Sequence, residues 1–198
     1  MVSLKRLLLE SQREIEQLRQ ALSKARGDAL SDDLSGLTNR KGFDRALATC
    51  LASAGEVEAN GPSLLLIDID FFKRVNDSYG HLFGDRVIQA VSKILKNNVK
   101  GQDTAARYGG EEFVILLPGT PLEGARHLAE KIRTTVERLR IRRGDSHDMA
   151  AKITVSLGVA SYRQGESAEE FVVRADRALY VSKHEGRNRS SVAGLLPI

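Results

Sequence analysis

The sequence predicts an α+β fold: a central, mostly antiparallel sheet flanked by helices and preceded by an N-terminal coiled-coil helix. Three observations carry this. Heptad spacing of apolar residues is confined to the first 30 residues. Beyond them, short apolar runs bounded by turn residues alternate with stretches of helical periodicity. The run Arg107-Tyr108-Gly109-Gly110-Glu111-Glu112-Phe113 then sets two glycines and two carboxylates directly ahead of an apolar segment.

In the first segment Met1, Leu8, Ile15, Leu22 and Ala29 fall seven apart, as do Leu4, Ser11, Leu18 and Ala25. Only Ser11 breaks this seam, and Arg13, Glu14, Glu16 and Arg19 lie outside it, the pattern of a two-stranded parallel coiled coil. A single amphipathic helix folded back on the domain is the alternative. Gly27-Asp28 loosens this helix, and Asp32 or Asp33 opens a second unit. The expected divisions are 1–30, a globular domain over 31–190, and a tail over 191–198.

Residues 40–53 carry Phe43, Ala46, Leu47, Cys50 and Leu51 at helical spacing, and Gly61-Pro62 introduces a strand over 63–69. A helix over about 85–97 buries Val87, Ile88, Val91, Ile94 and Leu95. A hairpin follows, 104–108 with 113–117, the second strand buried on both faces and the Gly-Gly turn expected at φ > 0. A helix over 122–139, a strand over 153–160 and a helix over 168–183 stopped by Gly186 complete the domain, with a short edge strand or a frayed end after 189. The order β-α-β-β-α-β is that of a ferredoxin-like sheet, with helices expected on one face.

The chain has 198 residues, 41% hydrophobic and 28% charged, enough for a core without cross-links. Cys50 is the single cysteine, so no internal disulfide forms and a reducing compartment is expected. A net charge of +4 without tryptophan or basic–aromatic interleaving argues against a nucleic-acid polymer. No apolar stretch approaches the ~20 residues of a membrane span, and the start is too quickly charged for a signal peptide. The expectation is a cytoplasmic segment without membrane contact, although an anchor upstream of Met1 is compatible with it.

Strand alternation puts Asp68 and Asp70 on one face at the end of an apolar strand. A lone aspartate there is ordinarily a solvated terminus or a cap. Here Glu111 and Glu112 sit on a hairpin that can neighbour this strand, and carboxylates converging from two strands suit Mg²⁺, which takes oxygen ligands and keeps waters.

Five ordered motifs resemble the GGDEF family. They are Asp33-Leu34-Ser35-Gly36-Leu37-Thr38-Asn39-Arg40; Asp68-Ile69-Asp70-Phe71-Phe72-Lys73; Asn76-Asp77-Ser78-Tyr79-Gly80-His81 with Gly84-Asp85; Gly109-Gly110-Glu111-Glu112-Phe113; and Lys183 to Arg187 with Asn188. The resemblance covers about residues 32–189 and implies a palm-type domain, in the GGEEF variant, that condenses two GTP into cyclic di-GMP. It implies that Asp68, the Ile69 carbonyl and Glu111, with Glu112 assisting, hold two Mg²⁺ ions, Mn²⁺ being an acceptable substitute. It gives Glu111 the 3′-hydroxyl proton and Lys73 the transition-state charge. Phe71, Phe72 and Lys73 meet the phosphates through backbone N–H groups, Gly109 and Gly110 keep the turn open, Asn76 and Asp85 read guanine, His81 lies near the nucleotide, and Lys183 and Arg187 reach the terminal phosphates. Phe71 and Phe72 also suit core packing, Lys183 and Arg187 suit a helix C-terminus, Asp70 is either a support for the ligands or purely structural, and 33–40 braces the domain start, Ser35 standing where threonine is usual.

One site departs from the family. Where many members carry an Arg-x-x-Asp product site, this chain has Lys100-Gly101-Gln102-Asp103, and His127 and Lys131 replace the arginines that complete it. A lysine lacks the planar fork of arginine, so weak or absent product inhibition is expected. The resemblance also implies a homodimer meeting through its catalytic faces and its N-terminal coiled coil, with a sensor upstream. A catalytically silent module that binds GTP or cyclic di-GMP is the rival reading, and an ATP cyclase is disfavoured by Asn76 and Asp85.

Overall fold

Strand β2, Ser63–Ile69, is buried at all seven positions, and a strand without a wet face must lie between two layers. The computed structural model describes residues 6, 13–17, 29–53, 61–141 and 151–194. It divides the chain into two compact units, Met1–Ser31 and Asp32–Ile198. In the first unit Arg6 and residues 13–17 are helical, with Ile15 about half exposed. The heptad positions Met1, Leu4, Leu8, Ser11, Leu18, Leu22 and Ala25 lie outside the described residues.

The second unit runs β1 (Thr38–Asn39), α1 (Arg40–Ser53), β2, α2 (Phe72–Tyr79), α3 (His81–Asn98), β3 (Thr104–Arg107), β4 (Glu112–Leu117), α4 (Leu122–Glu137), β5 (Arg140–Ile141), β6 (Ala151–Lys152), β7 (Val155–Ser161), α5 (Ala168–His184) and β8 (Ser190–Val192). The main sheet has the order β1-β3-β4-β2-β7-β8, and β5 pairs with β6. Only the outer pairs, β1 with β3 and β7 with β8, are parallel; the inner ladder is antiparallel.

Alternation along the inner strands sorts their side chains into two cores. Leu65, Ile67, Ile69, Phe113, Ile115, Leu157 and Val159 pack with Phe83, Val87, Val91 and Leu95 of α3 and Ala125, Ala129 and Ile132 of α4. Leu64, Leu66, Val114, Leu116 and Ala160 pack with Phe43 and Leu47 of α1 and Phe171, Ala175 and Leu179 of α5. Helices therefore cover both faces, which corrects the one-face expectation. The reason is legible in β2 and β4, whose continuous apolar runs leave no face for water. Fully burying each leucine is worth roughly 1.5–3 kcal/mol. Helix α5 presses so closely on β7 that a Cβ at Gly158 would lie 2.1 Å from the Ala175 carbonyl oxygen.

Helix α5 starts with a capping box: the Ser167 hydroxyl accepts from the Glu170 N–H, and the Glu170 carboxylate accepts from the Ser167 N–H. Gly186 follows its end at φ 112°. The last strand belongs to the domain, because Val192 is in the core, so the division at 190 falls inside β8. Helix α2 and the β5–β6 ribbon are absent from the sequence reading, and α3 begins at His81, four residues before the expected start. Among the described residues, no helix is long and apolar enough to cross a membrane.

Candidate functional site

The β2–β4 register places Asp68 opposite Glu112. The ladder does not stop there: the Ile69 N–H donates to the Glu111 carbonyl at 3.2 Å. The turn that carries the Gly-Gly-Glu-Glu run is thereby fixed to the end of the strand that carries Asp68. A second tie comes from Arg107, whose guanidinium donates to the Gly110 carbonyl at 2.8 Å and pairs with Asp32 at 3.2 Å. Asp32 also accepts the Ser35 N–H, and so the opening motif braces this turn. Neither Gly109 nor Gly110 adopts positive φ, contrary to expectation. Their use is steric. A Cβ at Gly109 would lie 2.6 Å from a Glu112 carboxylate oxygen, while nothing lies within 4 Å of one at Gly110, which leaves that side of the turn open.

Beside the turn is a cleft of about 500 Å³ lined by Phe72, Lys73, Asn76, Asp77, His81, Asp85, Ile88, Arg107, Gly110 and Glu111. Seven of these are sequence-predicted site residues, drawn together from α2, α3 and the hairpin. The Asn76 side-chain oxygen is buried without a hydrogen-bond partner among the described residues, and a Cβ at Gly84 would lie 1.9 Å from it. Glycine at 84 is what lets that amide sit where it does. A buried acceptor without a partner, in the cleft that Asp85 also lines, matches a ligand edge that offers N–H donors.

The remaining candidates stand around this cleft. Asp68, only 6% exposed, shares the Leu64–Leu66 face and pairs with Lys183 of α5 at 2.7 Å. Glu112 lines a different, smaller cavity with Tyr108, Asp176 and Leu179, so the two adjacent glutamates are turned apart. Phe71 is 51% exposed and left-handed at φ 57°, and the Arg187 guanidinium lies 4.3 Å over its ring. Asp70 is buried and accepts from the hydroxyls of Thr154 (2.7 Å) and Ser156 (2.6 Å) and from the Asn188 N–H (3.0 Å). Its oxygens are therefore engaged in tying β2, β7 and the turn after α5 together.

Lys100 and Asp103 close on each other: the Lys100 N–H donates to the Asp103 carboxylate at 2.9 Å, and Gly101 has φ 58°. His127 lines a separate open cavity with Arg126, Glu130, Ser190 and Val192. Arg107 is the site residue that sequence reasoning left without a role. Its signal was its place immediately before Tyr108-Gly109-Gly110.

Burial raises the Asp68 carboxyl above its ordinary range, Lys183 opposes this, and Glu112 and Asp70 add to it. Burial likewise raises Glu111, followed by the charge of Asp68, with Lys183 opposing and Glu112 adding. These acids thus feel one another across the strand end, an arrangement that a divalent cation relieves. Among the described residues no three His, Cys, Asp or Glu side chains form a metal cage by themselves. Mg²⁺ shared with phosphates requires only one or two carboxylates, and Asp68 with Glu111 fits that donor set.

Residues 29–189 match the family described as diguanylate cyclase, GGDEF domain. The chain belongs to this GGDEF family. It is 43% identical over 176 residues to diguanylate cyclase VdcA of Vibrio cholerae, covering 89% of this chain and 50% of the relative. It is 48% identical over 132 residues to diguanylate cyclase A of Treponema denticola, covering 66% of this chain and 35% of the relative. The chain thus spans half or less of the length of these curated relatives. The crystal structure of the coiled coil and GGDEF domain of DgcB from Caulobacter crescentus in complex with c-di-GMP superposes with a TM-score of 0.88 at 39% identity, covering 96% of this chain and 100% of that one. The active GGEEF domain of a Vibrio cholerae diguanylate cyclase gives 0.73 at 32% identity, over 81% and 99%.

A raised carboxyl pKa means that the folded state holds its proton more tightly than the unfolded chain. Stability from that group is therefore lost as pH rises from the ordinary carboxylate value through the raised one. Glu111→Gln removes the Glu111 share of this loss. Without metal or nucleotide, the variant and the unaltered chain should melt together below the ordinary carboxylate range, and the variant should melt higher at neutral pH. Thermal melts at several pH values check this; a variant less stable at neutral pH contradicts it.

Proposed function

We propose that this domain is a diguanylate cyclase that condenses two GTP into cyclic di-GMP and two pyrophosphates. The observation that carries the reading is the single cleft in which Lys73, Asn76, His81, Asp85, Gly110 and Glu111 meet. Asn76 and Asp85 present an amide and a carboxylate to the edge of guanine, whose O6 accepts and whose N1 and N2 donate. Adenine lacks that pattern. Lys73, at the first turn of α2, places an ammonium beside the phosphates, and Lys183 and Arg187 add positive charge from the end of α5.

Asp68 and Glu111, with the Ile69 carbonyl, are the residues that would hold Mg²⁺, which supplies charge neutralisation to the phosphates when bound. In each half-reaction a 3′-oxygen bonds to the α-phosphorus of the other GTP, the α–β phosphoanhydride bond breaks, and pyrophosphate leaves. Glu111 takes the hydroxyl proton. Lys73 offsets charge that grows on the phosphate oxygens.

One cleft has room for one nucleotide, so each domain needs a second copy facing it across a two-fold axis. The heptads over 1–30 support a coiled coil that holds two domains at high effective concentration, in keeping with the coiled coil of the DgcB structure. Its register is a natural input for a sensor upstream.

Incubation with Mg²⁺ and GTP should release pyrophosphate and cyclic di-GMP in a 2:1 ratio, with ATP giving neither; GTP binding without turnover would make the domain a silent effector. The local Lys100–Asp103 turn supports weak feedback. Initial rates should hold when micromolar cyclic di-GMP is added. Submicromolar inhibition abolished by Asp103→Ala contradicts this.

A further inference from the structure

Among the described residues, three that are not glycine have left-handed backbone: Phe71, Arg187 and Asn188. For Phe and Arg this conformation is sterically disfavoured, whereas Asn tolerates it better, and at Phe71 and Arg187 it persists only where surrounding contacts hold it. All three lie at one corner. The Arg187 guanidinium sits over the Phe71 ring, and the Asn188 N–H donates to Asp70, the residue before Phe71.

The contacts that hold this corner converge on Asn188. Its side-chain oxygen accepts from Arg133 at 3.0 Å, and its side-chain N–H donates to Glu137 at 2.9 Å. Arg133 is itself held by Glu130 and Glu137 at 2.9 and 3.1 Å. The Asn188 amide, and then Arg133, keep the Glu137 carboxyl below its ordinary range. One residue earlier, the Arg187 N–H donates to the Ser182 carbonyl at 3.0 Å. Every polar group of Asn188 that donates is therefore spent on fixing the turn between α5 and β8, and none faces the cleft.

We propose that Asn188 is a positioning residue for triphosphate binding: anchored to Arg133, Glu137 and Asp70, it holds the left-handed Arg187–Asn188 turn that sets the Arg187 guanidinium over Phe71 beside the phosphate-binding turn. This rests on the reading of the cleft as a GTP site. Arg187 is one residue from the anchor and has a long, flexible side chain. Without the anchor its guanidinium keeps its charge but loses its place, and the loss falls on the phosphates rather than on the base.

The experiment is calorimetric titration of the full 198-residue chain with α,β-methylene-GTP and, separately, with GMP, both with Mg²⁺. Asn188→Gly removes the amide contacts while accepting positive φ without strain. It should weaken the triphosphate analogue about tenfold, as should Arg187→Ala, and leave GMP affinity unchanged. The double variant should lose no more than either single one, since both remove the same contact. Glu137→Ala, outside the strained turn, should weaken the analogue by about threefold and serves if Asn188→Gly does not fold. Unchanged analogue affinity in these variants, equal losses for GMP and the analogue, or additive losses in the double variant would each overturn the proposal. An unaltered chain that binds neither nucleotide overturns the GTP reading itself, and this proposal with it.

Discussion

The site depends on the antiparallel register of β2 and β4, and above all on the bond from the Ile69 N–H to the Glu111 carbonyl. A one-residue slip would send every side chain of β2 to the opposite core. What opposes that slip is the different packing of the two cores, together with Asp68, which a slip would carry to the face that packs on α3 and α4. The same packing energy that holds the sheet therefore fixes where Asp68 and Glu111 stand. Arg107 carries this constraint outward, linking Asp32 at the start of the domain to the Gly110 carbonyl at the turn.

The domain accepts unfavourable features at that strand end. Asp68 is buried beside other acids, and among the described residues it is Lys183 that offsets them. Phe71, Arg187 and Asn188 hold left-handed backbone nearby, and the Asn76 oxygen is buried without a partner. A cation would offset the charge at Asp68, and a base N–H would pair the Asn76 oxygen. Rigid cores on both sides make these costs tolerable. A strained backbone at Phe71 and an unpaired buried acceptor at Asn76, on α2 and the residue that precedes it, are features that suit a binding site.

Much of this was legible in the chain. Strand β2 and helix α1 fall where alternation and helical spacing put them, because both are local patterns that tertiary packing reinforces. Helix α2 was not legible: its eight residues carry only Phe72 and Val75 on the buried side, too few for a periodic signal. The helices on the second face were missed because element order does not specify which face a helix crosses. The glycines of the turn were read for conformation when their use is clearance. The motif residues of the cleft were placed by the resemblance to the GGDEF family. Arg107 and Asn188 act through neighbours distant in sequence, which only the fold brings near.

The central claim is that Asp68 and Glu111 share a cation beside a pocket that reads guanine. Anomalous diffraction from crystals grown with Mn²⁺ and a non-hydrolysable GTP analogue tests it most directly. The account predicts a manganese peak within coordination distance of both carboxylates, with the guanine edge against Asn76 and Asp85. Manganese bound by phosphates alone, or a base seated away from those two residues, would contradict it.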